Sequence, residues 1–279
     1  MLVRKSAAVL MLSVLFVISS CDLNFGASEE DEPIESGSTV FSLLELQRDL
    51  DRALNIVFVP DNAYGDLSVL TNRQAFLDDL SDVVDTGYWE NQTFVRNVHL
   101  FNYYYMTATG SVAAPPAGTI CPTVTWPTEV STDAAFADMV LLIHTNELRD
   151  CAFGGGRATS EPTSFRTIVH ESSHALFGLP DEYCCDGGYF EKKPVLYDTE
   201  NECTTDPTNV GWRDCDSFTS VSNVPWWRSE DTTADIMSTG GSVVLEFGRA
   251  DWVVLRDVLD NLGTPNDPTV FAPANWDRP

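Results

Sequence analysis

Apolar residues along this chain recur with two different periods, and the places where the period changes mark out the elements. Residues 7–18 form an apolar run, broken only by Ser13, behind Arg4 and Lys5. Residues 22–38 are acidic and rich in Gly, Ser and Pro, with little to bury, which predicts a flexible tether. Leu43, Leu46, Leu50 and Leu54 then recur at helical spacing and predict a short helix over residues 42–54. Residues 55–59 (NIVFV) are a β-branched and aromatic run stopped by Pro60 and Asp61, the pattern of a buried strand, with a turn over 61–66. Leu70, Phe76, Leu77, Leu80, Val83 and Val84 predict an amphipathic helix with Thr71 as its N-cap.

Residues 95–111 are rich in aromatic and β-branched side chains and predict one long strand or two short ones. Residues 112–132 carry Pro115, Pro116, Pro122 and Pro127 and read as loop. Residues 138–145 (DMVLLIHT) predict another buried strand. Residues 150–161, with Gly154, Gly155 and Gly156, predict a flexible connection to a helix opened by Pro162. On that helix Phe165, Ile168, Val169, Ser172, Ala175, Leu176 and Leu179 fall on one side, suited to packing on a sheet. Thr163, Thr167, His170, His174 and Phe177 fall toward the other, suited to lining a cleft, and Gly178 ends the helix. Residues 184–235 show no period and predict a long irregular region, longer than an ordinary connection. Trp226 and Trp227 within it read as core residues, with a substrate subsite as the alternative. An amphipathic helix follows from Arg249 to Leu262, ended by Gly263 and Pro265, and residues 266–279 read as a surface tail.

The first apolar run is too short for a comfortable membrane span and has the anatomy of a secretory signal over residues 1–20. Ile18-Ser19-Ser20-Cys21 resembles the lipobox of bacterial lipoproteins, which implies lipidation of Cys21 and a membrane anchor. Plain cleavage after Ser20 would instead secrete the chain. The expected organisation is therefore a signal (1–20), a tether (21–40), one catalytic domain (41–265) and a tail (266–279). The 279-residue chain is 43% hydrophobic, enough for a proper core. Its formal charge of −26, and a still more acidic body once Arg4 and Lys5 are removed, exclude nucleic acid and anionic lipid headgroups as partners. Six cysteines follow Cys21, an even number that suggests disulfides in an exported chain. Adjacent cysteines rarely bridge each other. Cys184 and Cys185 are therefore expected to pair outward, with Cys203 and Cys215, leaving Cys121 with Cys151.

The candidate chemistry lies in residues 170–183, HESSHALFGLPDEY. His170 and His174 are four residues apart and share a helix face, so both imidazoles can reach one metal ion. Glu171 sits about 100° round the helix, within reach of a water on that metal. Two nitrogen ligands, an open position and a carboxylate base are the parts of a zinc hydrolase. A third protein ligand is required, and the turn after Gly178 brings Asp181 and Glu182 back toward the histidines. Some 55 residues downstream Asp235-Ile236-Met237-Ser238 resembles the Met-turn of metzincins, in which a methionine lies beneath the zinc-bound histidines. His99 and His144 lie in predicted strands and read as packed core histidines. Calcium is a second candidate ion, on the acidic stretch 186–216, where it would make the chain an adhesion module.

HESSHALFGLPDEY, the strand and turn over 55–61, the helix over 76–84 and the strand ending in Thr109-Gly110-Ser111 together resemble the IgA-peptidase-type zinc metallopeptidases, exported bacterial enzymes of the metzincin-like group. The resemblance spans roughly residues 55–262 and is specific at 170–183. It implies a zincin-like α/β fold with a mixed sheet, an active-site helix and a disulfide-tied C-terminal region. It also implies one zinc on His170, His174 and Asp181, with Glu171 as catalytic acid and base and Met237 as the floor. The implied reaction is hydrolysis of protein or peptide bonds. The sequence departs from metzincins in two ways. Their third ligand stands six residues after the second histidine, where this chain has Pro180, with Asp181 one later. A tyrosine that some carry two residues after the methionine is here Thr239, so Tyr183 becomes a candidate donor to the oxyanion. The competing function is a non-catalytic surface-binding lipoprotein on the same fold.

Overall fold

Seven consecutive residues, Leu54–Pro60, are buried, and the domain is layered on both sides of them. In this computed structural model the described residues are 33, 37–47, 49–183, 189–209, 214–220, 222–230, 235–238, 245–262 and 270–271. In chain order the elements are β1 (Val40–Leu44), β2 (Leu54–Pro60), α1 (Leu70–Asp82), which continues as a π-helical turn over Val83–Tyr88, α2 (Gln92–Arg96), β3 (Phe101–Met106), β4 (Ser111–Ala113) and β5 (Thr123–Thr125). Then come β6 (Met139–Ile143), β7 (Cys151–Phe153), β8 (Arg157–Ser160), α3 (Phe165–Phe177), β9 (Leu196–Tyr197), α4 (Glu200–Thr205), β10 (Asp214–Thr219), β11 (Pro225–Glu230) and α5 (Arg249–Leu262).

The main sheet is mixed, in the order β1-β3-β2-β6-β8-β7. Its four central strands are parallel, and β1 and β7 run antiparallel at the two edges. Parallel strands covered on both faces read as continuous apolar runs, which is why NIVFV and MVLLI stand out in the sequence. Alternation within β2 sends Ile56 and Phe58 into one core and Val57 and Val59 into the other. The first core is closed by helices, through Phe76 and Leu80 of α1, Ile168 and Val169 of α3, and Leu255 and Leu259 of α5. The second is closed by the segment 108–137, through Val112, Val124, Trp126 and Val130.

The helix expected over 42–54 is not formed. Residues 40–44 pair with β3 as an edge strand, and Leu46 and Leu50 remain 47% and 36% exposed. The local competitor is a buried asparagine: Asn102 Oδ1 accepts from the backbone N–H of Leu46 (3.0 Å) and Gln47 (2.9 Å), and its Nδ2 donates to Gln47 O (2.6 Å). The residues then bend into a 3₁₀ turn, Leu50–Arg52, capped by Asp49. The N-cap of α1 is Val69, not Thr71, and no side chain caps it. Residues 95–111 are only partly strand: Asn91 caps α2 by accepting from Thr93 N (2.9 Å), and His99 falls in a 3₁₀ turn before β3. The proline-rich loop contains the β4–β5 hairpin.

Residues 150–161 are not a loose connection but the β7–β8 hairpin, turned by Gly155 and Gly156 at φ 76° and 68°. A Cβ at Gly156 would lie 2.4 Å from the Asp138 carbonyl oxygen, on the backbone leading into β6. Gly156→Ala is therefore expected to cost about 2 kcal/mol or more, from the left-handed backbone and the overlap together. It should lower the urea midpoint at an unchanged slope; an unmoved midpoint would contradict the geometry.

The region after residue 184 is more ordered than expected: β10, β11 and β9 form an antiparallel sheet with α4 packed against it. Trp226 and Trp227 are half-buried on β11, Trp226 with its ring 6.3 Å from that of Tyr189. Cys121–Cys151 forms as expected. Cys203 and Cys215 bond to each other rather than to Cys184 and Cys185, because α4 and β10 pack side by side and bring their Cα atoms to 6.0 Å. Cys184 and Cys185, the signal with Cys21, most of the tether and almost all of the tail lie outside the described residues.

Candidate metal centre

Helix α3 is held from behind before it offers anything to the cleft. It packs on β6, β7 and β8, and the Tyr88 hydroxyl shares a 2.7 Å hydrogen bond with Ser172 Oγ, fixing the helix rotation from its buried side. The helix starts at Phe165, three residues later than Pro162 suggests, because Glu161–Ser164 is a turn. Its polar side is shorter than the pattern implied. Phe177 is 3% exposed and packs near Phe94, while Thr163 and Thr167 line a separate depression by the helix start. Only the middle of the helix, His170, Glu171 and His174, faces the cleft.

Gly178 (φ 61°) ends α3 in a left-handed cap, its N–H donating to His174 O at 3.1 Å. The chain then doubles back. Leu179 O accepts from His174 Nδ1 at 2.6 Å, and Ile236 O, from the 235–238 turn, accepts from His170 Nδ1 at 3.0 Å. A carbonyl can only accept, so both Nδ1 atoms carry hydrogen and both Nε2 lone pairs are free to bind. Those Nε2 atoms are 3.1 Å apart, and Asp181 Oδ1 stands 3.2 Å from His170 Nε2 and 3.3 Å from His174 Nε2. Three electron-rich atoms at that spacing need a positive charge among them. A tetrahedral ion with ligands about 2.0–2.1 Å away spaces them about 3.3 Å apart, so the donor set fits zinc in both chemistry and spacing.

A proton is the other charge that can sit there. Burial alone would lower the His174 imidazole, but the hydrogen bond and charge of Asp181 outweigh it and raise it to about 9. Burial would raise Asp181, but its contacts with the two imidazoles bring it down to about 2. Glu171 is 8% exposed, and burial raises its carboxyl above the ordinary range despite the opposing charge of His170 and His174.

Sequence-predicted residues divide clearly. His170, His174 and Asp181 converge, and Glu171 lines the same cleft. Tyr183 lines it too, its ring 6.1 Å from that of His170. Met237 is fully buried; its turn contacts the centre through its backbone, with Ile236 O on His170 and Met237 O accepting from Glu182 N at 3.2 Å. Glu182 does not join the histidines. Its carboxylate lies with those of Asp235 and Asp251. Trp226 and Trp227 are not among the described cleft residues, and Thr239 lies outside the described residues.

Asp150 was not anticipated. It sits beside Glu171 at the cleft wall, where it accepts from Glu161 N (3.0 Å) and Ser160 Oγ (3.1 Å) and pairs with the buried His144 at 3.2 Å. His144 thus has a partner that faces the cleft, although it is packed as expected. A lone aspartate before a glycine run carries no sequence signal. The outer strand β7, which begins directly after Asp150, also lines the cleft, and Cys121–Cys151 ties to it the loop bearing Ile120. No model of a known protein family matches the chain, and no curated protein matches it.

Proposed function

We propose that this chain is a zinc-dependent peptidase, with one zinc held by His170, His174 and Asp181 on a zincin-like α/β domain. The observation that carries the proposal is the convergence of three ligand atoms at 3.1–3.3 Å beside a buried glutamate that opens on the same cleft. Zinc bound there would supply Lewis acidity, lowering the pKa of a water and polarising a scissile carbonyl. Glu171 is placed to accept the proton of the attacking water and to pass it to the leaving amine nitrogen. In the metal-free chain burial makes Glu171 a stronger base than an exposed glutamate, which suits taking a proton from water. Asp150, anchored from behind, adds negative charge beside Glu171 and supports that basicity.

The substrate reading rests on β7. It is the outermost strand of the main sheet among the described residues, and it borders the cleft through Cys151, Ala152 and Phe153. An edge strand presents unpaired N–H and C=O groups, so an extended peptide can add to it and lie across the histidines. Ile120 and Phe190, both well exposed at the rim, favour apolar side chains on that peptide. Within this reading the leader over 1–20 and Cys21 export the domain and hold it at a bacterial membrane. No helix among the described residues is long and apolar enough to cross one.

Equilibrium dialysis with metal analysis tests the centre: one zinc per chain is expected, and calcium alone or no retained zinc would overturn it. A pH dependence follows. With His174 raised to about 9, the metal-free site holds a proton at neutral pH that zinc must displace. Zinc affinity should therefore rise about tenfold per pH unit between 7 and 9 and level off above. Calorimetry in buffers of different ionisation heat should show about one proton released per zinc at pH 7. Zinc binding with no proton release would contradict the His174–Asp181 coupling.

A further inference from the structure

Behind the histidine centre lies a second group of acids from three distant parts of the chain: Glu182 after α3, Asp235 in the 235–238 turn and Asp251 in the first turn of α5. All three are buried, and one carboxylate oxygen from each lies within 4.8 Å of the other two. Asp235 and Asp251 are anchored from outside: Asp235 Oδ1 accepts from Ser238 N at 2.7 Å, and Asp251 Oδ2 accepts from Gly248 N at 3.1 Å. The two anchors turn the remaining oxygens inward.

Glu182 makes a separate observation. It is 1% exposed, and neither of its carboxylate oxygens meets an N–H or O–H donor; it faces the carboxylate of Asp251, whose buried Oδ1 meets none either. A buried carboxylate without a partner costs several kcal/mol, so something must meet it. Arg228 is the neighbouring cation, but it donates to the Glu182 backbone carbonyl (2.6 Å) and shares its charge with Asp216 (3.2 Å). A positive charge divided in this way leaves room for a divalent ion among the three carboxylates. The donors are all oxygen, which selects a hard cation, and oxygens each 2.3–2.6 Å from one calcium lie at most about 5 Å apart.

We propose that Glu182, Asp235 and Asp251 form a structural calcium site, distinct from the histidine centre. Its position gives it a task. Glu182 is the residue after Asp181, and Asp235 belongs to the turn whose Ile236 carbonyl holds His170. Calcium there would tie the segment bearing Asp181, the turn holding His170 and the start of α5 to one point.

The test uses the full chain stripped of metal, titrated with calcium alone by calorimetry and thermal melting, for wild type and the near-isosteric Asp251→Asn. One calcium per wild-type chain and a Tm that rises with calcium are expected. Asp251→Asn should weaken binding at least about 10-fold and remove the rise in Tm. A wild-type Tm unmoved by millimolar calcium would overturn the site and leave a proton shared between Glu182 and Asp251 as the answer. Undiminished binding in the variant would overturn it as well, assigning the calcium to the acidic surface. If Asp251→Asn does not fold, Glu182→Gln is read by the same two criteria. Imidazole ligands do not favour calcium, so the outcome is independent of whether His170 and His174 hold zinc.

Discussion

Glu171→Gln is expected to retain one zinc per chain and to lose peptide hydrolysis by about 10²–10⁴-fold, the usual contribution of a positioned acid–base group. The change is isosteric, and Glu171 makes none of the contacts that bring His170, His174 and Asp181 together, so ligand geometry should survive. What disappears is the buried carboxylate that is placed beside His170 and His174 to take a proton from water and return it. A variant that cleaves at the wild-type rate would remove Glu171 from the reaction.

Asp181→Ala should have the larger effect on the metal. Asp181 Oδ1 touches both Nε2 atoms, and its loss leaves two ligands where catalytic zinc takes three. Zinc affinity should fall by more than the 10–100-fold typical of a supporting contact around a ligand. Glu182→Ala provides the contrast: its carboxylate belongs to the other cluster, so it should keep more zinc than Asp181→Ala. Metal analysis after identical dialysis compares the two. If Glu182→Ala lost the zinc and Asp181→Ala kept it, the ligand assignment would be reversed.

How much of this was legible in the sequence depended on whether a single local interaction decided the outcome. NIVFV and MVLLI are buried from both faces, so their continuous apolar runs identify the central strands directly. The four leucines over 43–54 mislead because Asn102, some fifty residues away in sequence, captures the backbone N–H groups of Leu46 and Gln47. Short strands such as β7 and β10 carry Cys, Ser, Asp and Gly-flanked positions with little period, and only pairing across the sheet defines them. His170, His174 and Asp181 lie within twelve residues on a helix and its cap, so their spacing reveals the cluster. The Glu182–Asp235–Asp251 cluster spans about seventy residues of sequence with no spacing rule, and Asp150 is assigned to the cleft wall only by the hairpin that places it. Cys203 and Cys215 bond because α4 meets β10, a contact that cysteine spacing alone does not reveal.

The most direct measurement is digestion of a mixed peptide library by the zinc-loaded chain, with product termini identified by mass spectrometry, alongside Glu171→Gln at equal zinc content. Cleavage is expected from the wild type, stopped by a chelator, restored by zinc and absent from the variant. An intact library after incubation with the zinc-loaded wild type, or equal cleavage by both chains, would contradict a Glu171-assisted zinc peptidase.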